Sequence, residues 1–182
     1  MRSIAIASLL IALAITFIAA EPADKGAKAP AIECCPMDSK ASAALDRIKA
    51  LKGTWVVSES EPGQPPMTIE YRPTANGTAV IETMFPGHPH EMINLYTADG
   101  DSILLTHYCA QGVQPRMRLS SAEARAMKFD FVDGGNIKSR NDPHMDSVTL
   151  TVDGDTLTQD WSYFADGKVV SNQVFTLKRK AK

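Results

Sequence analysis

The 182-residue sequence is poor in the residues that usually announce a function. It has three cysteines, four histidines and two tryptophans. It contains no Cys-x-x-Cys pair and no His-Glu-x-x-His run, so the common sequence signatures of structural zinc and of zinc hydrolases are missing. No strand–turn–helix nucleophile elbow or oxyanion-hole loop can be picked out. No basic block interleaves with aromatics, which removes the electrostatic footing for a nucleic-acid partner. The one basic cluster, the terminal "KRKAK", reads as a solvated tail. After the first twenty residues there is no second long apolar run, so no integral membrane span is expected in the mature chain.

Those twenty residues, "MRSIAIASLLIALAITFIAA", are of another kind. One arginine precedes an apolar stretch that ends in small residues, the layout of a cleavable secretory signal over 1–20. A periplasmic or secreted bacterial protein is expected; an uncleaved signal would leave the domain anchored. Setting 20 of the 182 residues aside leaves 162, enough for one domain with a sizeable core. Export implies a compartment in which disulfides persist. Adjacent Cys34 and Cys35 make a strained pair with each other, and either can bridge to Cys109 instead.

Residues 21–38 read as a tether, rich in Pro, Ala, Gly and charge and without apolar period. The barrel domain is expected over 39–180. Asp38 or Ser39 can cap a short helix in which Ala44, Leu45, Ile48 and Leu51 share a face, with Gly53 as its stop. From Gly53 the pattern changes to short runs rich in Val, Ile, Thr, Tyr and Phe. Strands are expected near 53–60, 67–73, 78–85, 90–98, 101–110, 114–121, 127–133, 144–152, 155–164 and 168–178. "SSAEARAMK" is the one place where a helix competes. Asn-Gly and Asp-Gly pairs in "ANGT", "ADGD", "VDGD" and "ADGK" supply the positive φ of tight hairpin turns. Sequential hairpins make an antiparallel meander, and about ten strands in one sheet tend to close. The expected fold is all-β: an antiparallel up-and-down barrel of about ten strands with a short N-terminal helix. A two-sheet sandwich is the second choice.

"LKGTW", with Gly53 and Trp55 after a short helix, resembles the Gly-x-Trp opening of lipocalin-like barrels of the calycin superfamily. The order of hairpins and a closing strand ending in Lys178-Arg179 fit that resemblance, and residues 80–117 are similar to a group of secreted bacterial proteins of this type. The resemblance covers roughly 50–180. It implies the barrel, with Trp55 packed at a closed end and a small apolar or amphipathic molecule held in the mouth. It does not imply an activity. The more distant nitrobindin barrels bind haem through a histidine near the C-terminus. Val170 to Lys178 holds no histidine, so haem ligation of that kind is not expected.

The turns place side chains. A two-residue turn at Asp99-Gly100 sets His90 opposite Cys109, Met92 opposite His107, Asn94 opposite Leu105 and Tyr96 opposite Ile103, all on one face. A turn at Asp153-Gly154 sets His144 opposite Tyr163, Asp146 opposite Trp161 and Val148 opposite Gln159. A turn at Asp166-Gly167 sets Trp161 beside Asn172 and Gln159 beside Val174. This mixture of aromatic, amide and imidazole groups suits a ligand cavity better than a dry core.

The expected ligand-binding residues are therefore His90, Met92, His107, Cys109, His144, Trp161 and Tyr163, serving a small amphipathic molecule. An alternative is zinc or copper held by His90, His107 and Cys109, with His144, Glu91 or Met92 nearby, because these metals take imidazole, thiolate and thioether. A third reading is a hydrolase-type enzyme with Cys109 as nucleophile and His90, directly across, as base. Glu82 and Glu91 could form a carboxylate pair, although strand carboxylates are more often solvated. Arg116 and Arg118 share a face that could meet a ligand carboxylate or lie flat on the surface. "CCPM" offers vicinal thiols to a soft metal, or one disulfide from a tether.

Overall fold

A computed structural model describes residues 37–59, 63 and 65–181. The signal of 1–20, all of the tether but its last two residues, and Cys34 and Cys35 lie outside the described residues.

The helix α1 runs Ser39–Lys49. Asp38 caps it, its side chain accepting from the Lys40 amide at 2.8 Å. Arg47 and Lys49 in the last turn sit where the helix dipole favours cations. Ala41, Ala44, Leu45 and Ile48 form the buried face, which Leu51 extends beyond the helix. Gly53 does not stop the helix. It opens the first strand with φ 121°, a conformation that L side chains rarely adopt.

Ten strands follow: β1 (Gly53–Val57), β2 (Thr68–Thr74), β3 (Ala79–Met84), β4 (Met92–Asp99), β5 (Ser102–Tyr108), β6 (Gln114–Ala122), β7 (Ala126–Gly135), β8 (His144–Asp153), β9 (Thr156–Ala165) and β10 (Lys168–Arg179). Each pairs antiparallel with the next. β10 then pairs with β1 through Trp55↔Arg179 and Val57↔Leu177, which closes the sheet into a barrel and excludes the sandwich. "SSAEARAMK" is not helical: Ser121 and Ala122 end β6, Ala126 starts β7, and the Glu123 amide donates to the Ala126 carbonyl across the turn.

The helix packs against β2 to β5 at one end of the barrel. There Arg47 donates to the carbonyls of Glu123 and Ala126 in the β6–β7 turn. At the same end Trp55 is fully buried, its indole N–H donates to the Leu51 carbonyl at 2.8 Å, and the Arg179 guanidinium lies 4.1 Å over its ring. No helix among the described residues is long and apolar enough to cross a membrane.

Three hairpin registers differ from expectation, in two ways. In β4–β5, Asp99 pairs with Ser102, so the turn is Gly100-Asp101 and Asn94 faces His107. In β8–β9, Asp153 pairs with Thr156, and Val148 faces Trp161. Each is displaced by two in the sum of paired positions, so the alternation in and out of the barrel survives. Bulges do what those shifts do not. One at Asp146 makes Met145 the partner of Tyr163 and His144 the partner of Phe164. One at Val170 puts Gln173, not Asn172, beside Trp161, and Phe175, not Val174, beside Gln159. A single extra residue exchanges the two faces of everything beyond it.

Candidate functional site

The middle of the barrel holds a polar network centred on Glu82 of β3, which is completely buried. One carboxylate oxygen, Oε2, accepts from the Tyr96 hydroxyl at 2.6 Å and from Asn94 Nδ2 at 2.9 Å. Oε1 accepts from Gln159 Nε2 at 2.7 Å. The same Gln159 nitrogen donates to the Tyr71 hydroxyl at 2.6 Å, and Gln159 Oε1 accepts from the Trp161 indole at 3.0 Å. His107 joins through Asn94, with Nδ1 2.7 Å from Asn94 Oδ1. Neighbouring strands build this set, because Glu82 pairs with Tyr71 and Asn94, and Asn94 with His107.

Burial raises the Glu82 carboxyl above the usual carboxylate range, while its donors from Tyr96, Gln159, Asn94 and Tyr71 pull the other way. Burial, and then the Glu82 charge, holds the Tyr71 and Tyr96 phenols well above their ordinary value, so both remain protonated donors. Burial pushes the His107 imidazole down to about 4. The unfolded chain therefore binds a proton that the folded barrel refuses. This contribution is fully present above the ordinary histidine value of 6.5 and is lost as pH falls through about 4. It amounts to about 3 kcal/mol at most. Glu82, with its raised value, acts with the opposite sign above the ordinary carboxylate range. In denaturant unfolding at pH 7 and pH 4, the native protein is expected to lose about 3 kcal/mol more than His107→Phe. Equal losses in both proteins would show that His107 does not resist protonation.

Above this layer, at the end opposite α1, the barrel opens into a cavity of about 500 Å³. Met67, Phe85, Met92, Met145 and Phe175 form its apolar wall, Trp161 lies between it and the network, and Gln111, Tyr163, Ser171 and Gln173 add polar atoms. The Tyr163 hydroxyl donates to Gln111 Oε1 at 3.4 Å. A groove of about 370 Å³ beside α1, between Lys40, Arg47, Asp101 and Ser120, lies on the outside and shares no residue with this cavity.

The structure sorts the seven residues expected from the sequence. Met92, Trp161 and Tyr163 line the cavity together, and His107 packs against Trp161 with ring centroids 5.1 Å apart. His90, His107, Cys109 and His144 are not among the lining residues. His90 does not oppose Cys109, because β4 begins at Met92 and β5 ends at Tyr108. The intervening "FPGHPH" contains Pro86 and Pro89, which cannot donate to a ladder, and leaves His90 exposed against His88. Cys109 is half-buried, with its amide donating to the Val113 carbonyl. The Asp146 bulge puts His144 on the face opposite Tyr163, between Phe131 and Phe164. There its Nδ1 donates to the Asp142 carbonyl and its Nε2 accepts from Arg140.

Among the described residues, no three His, Cys, Asp or Glu side chains are grouped to hold one metal ion. Glu82 and Glu91 do not pair: Glu82 is inside, and Glu91 is exposed and accepts from the Gly87 amide. Arg116 and Arg118 lie on the outer face, ion-paired with Asp133 and Asp99.

The network itself is what the residue types alone do not reveal. Its signal is the period of two in "VIETM": Val80, Glu82 and Met84 share a face, and two of the three are apolar. The same alternation puts Tyr71 two residues from Ile69.

Fold and site together define a closed up-and-down β-barrel with one end stoppered by a helix, a hydrogen-bonded carboxylate at mid-height, and an apolar mouth. No protein-family model matches the chain, and no curated protein matches its sequence.

Proposed function

We propose that this is an exported, lipocalin-like barrel that binds one small amphipathic molecule in its mouth without chemical conversion, in the periplasm or outside the cell. The observation that carries this reading is the cavity of about 500 Å³, apolar in its walls and placed over a rigid polar layer. Pockets of this size with a few fixed polar groups are typical of small-molecule sites. The Gly53-x-Trp55 opening and the Trp55–Arg179 stack support the lipocalin-like part of the reading.

The test uses N-phenyl-1-naphthylamine, a neutral apolar fluorophore. Saturable one-to-one binding to the native protein is expected. Met92→Lys, which drives a charge into the wall, is expected to weaken it at least about tenfold, or about 1.4 kcal/mol. Thr149→Lys, on the outside of β8, serves as the control and should change nothing. Binding that never saturates, or that ignores Met92→Lys, would remove the proposal.

A further inference from the structure

The chemistry of the ligand head group can be read from one nitrogen. His107 Nε2 is the only buried side-chain nitrogen or oxygen among the described residues that has no hydrogen-bond partner. Unpaired polar atoms of this kind are uncommon and costly. Its protonation follows from a chain of donors and acceptors. The Glu82 carboxylate, held by donors on both oxygens, must face the Asn94 amide nitrogen. The Asn94 oxygen is thereby turned to His107, and it can only accept. His107 Nδ1 must carry the hydrogen. In the neutral ring Nε2 is then a bare lone pair on the side away from Asn94. His107 does not itself line the mouth, and Nε2 is closed to solvent. The ring abuts Trp161, which does line it, so the nitrogen is reached from the mouth as the Trp161 indole gives way, beside Met92 of the neighbouring strand.

We infer that the mouth selects a neutral amphiphile whose innermost atom group is a hydroxyl, donating its hydrogen to His107 Nε2 at the level of Trp161. This rests on the reading of the mouth as the binding site and adds the head-group class. An ether or ester offers only acceptors and leaves the nitrogen unpaired. A carboxylate also lacks a hydrogen to give, and its own charge would be taken out of water next to the buried Glu82 carboxyl. Chain length and shape are set by the apolar wall, and the choice of head group by one acceptor.

The test measures binding of 1-decanol, decyl methyl ether and sodium decanoate to the full protein by calorimetry. The alcohol is expected to bind about tenfold tighter than the ether, the upper end of what one net hydrogen bond supplies, and tighter still than decanoate. His107→Phe should bring the alcohol to the level of the ether without weakening the ether. An independent readout needs no variant: the imidazole ¹⁵N resonance of His107 Nε2 should shift on addition of decanol and stay in place with the ether. Equal affinities, a preference for decanoate, or an unmoved Nε2 resonance on saturation with decanol would overturn the inference while leaving the mouth as a binding site. Failure of all three probes to bind would overturn the inference together with the reading of the mouth.

Discussion

Replacing Glu82 by alanine is expected to lower the unfolding free energy by about 3–5 kcal/mol, measured by guanidinium or urea unfolding at neutral pH. The carboxylate is the common acceptor for Tyr96, Asn94 and Gln159. Its removal leaves the buried Tyr96 hydroxyl without an acceptor and takes one acceptor each from Asn94, which keeps only Met84 Sδ, and Gln159, which keeps the Tyr71 hydroxyl. The damage also spreads. With no carboxylate to face, the Asn94 amide is free to turn over, and the fixed tautomer of His107 goes with it. Glu82→Gln should cost less, about 1–3 kcal/mol, since one of its oxygens remains and only its amide meets a donor head-on. A loss below about 1 kcal/mol for the alanine variant would mean that the network contributes no more than an ordinary surface group.

The second large effect is expected at the opposite end. Trp55→Ala should cost about 3–5 kcal/mol, because a fully buried indole is exchanged for a cavity. The substitution also removes the hydrogen bond to the Leu51 carbonyl that ties α1 to β1. It further strips the platform under the Arg179 guanidinium, which itself donates to the carbonyls of Lys52 and Ala50. Arg179→Ala, by contrast, should cost only about 1 kcal/mol, since the group is partly exposed and the indole stays packed. Under conditions where Trp55→Ala remains folded, fluorophore binding in the mouth should be close to native, because the mouth lies at the opposite end and neither Trp55 nor its partners Leu51 and Arg179 line it. A variant that stayed as stable as the native protein would show that the stopper is not needed for stability.

The sequence carries the fold further than it carries the site. Asn-Gly and Asp-Gly pairs lie at turns between strands, and the helical spacing of Ala44, Leu45, Ile48 and Leu51 marks the side that packs on the barrel. Local chemistry decides both features, so both can be read locally. The interior depends on counts accumulated along a strand. Misplacing the β4–β5 turn by a residue leaves the interior face intact, and so Met92, Asn94, Tyr96 and His107 keep to one side. The bulges at Asp146 and Val170 have no comparable mark: neither "HMDSV" nor "KVVSN" contains a glycine or proline to signal an extra residue. For this reason His144 and Asn172 are assigned to the inside by spacing and found elsewhere in the structure. The loop with Pro86 and Pro89 did carry a warning that strand pairing would not reach His90.

The ladder between β1 and β10 joins the first strand of the domain to the last. Every other ladder links neighbours in the chain and can form as soon as its hairpin has emerged. This one must wait for Leu177 and Arg179 to arrive. Until then the sheet has two bare edges, an incomplete floor around Trp55 and a carboxylate whose partner Gln159 is supplied late by β9. The order of events is set by connectivity: a curved sheet first, the seam last, with the slow rate that long-range pairing imposes on β proteins. A chain stopped short of its final strand would carry seven of the ten residues that line the mouth and none of its closure.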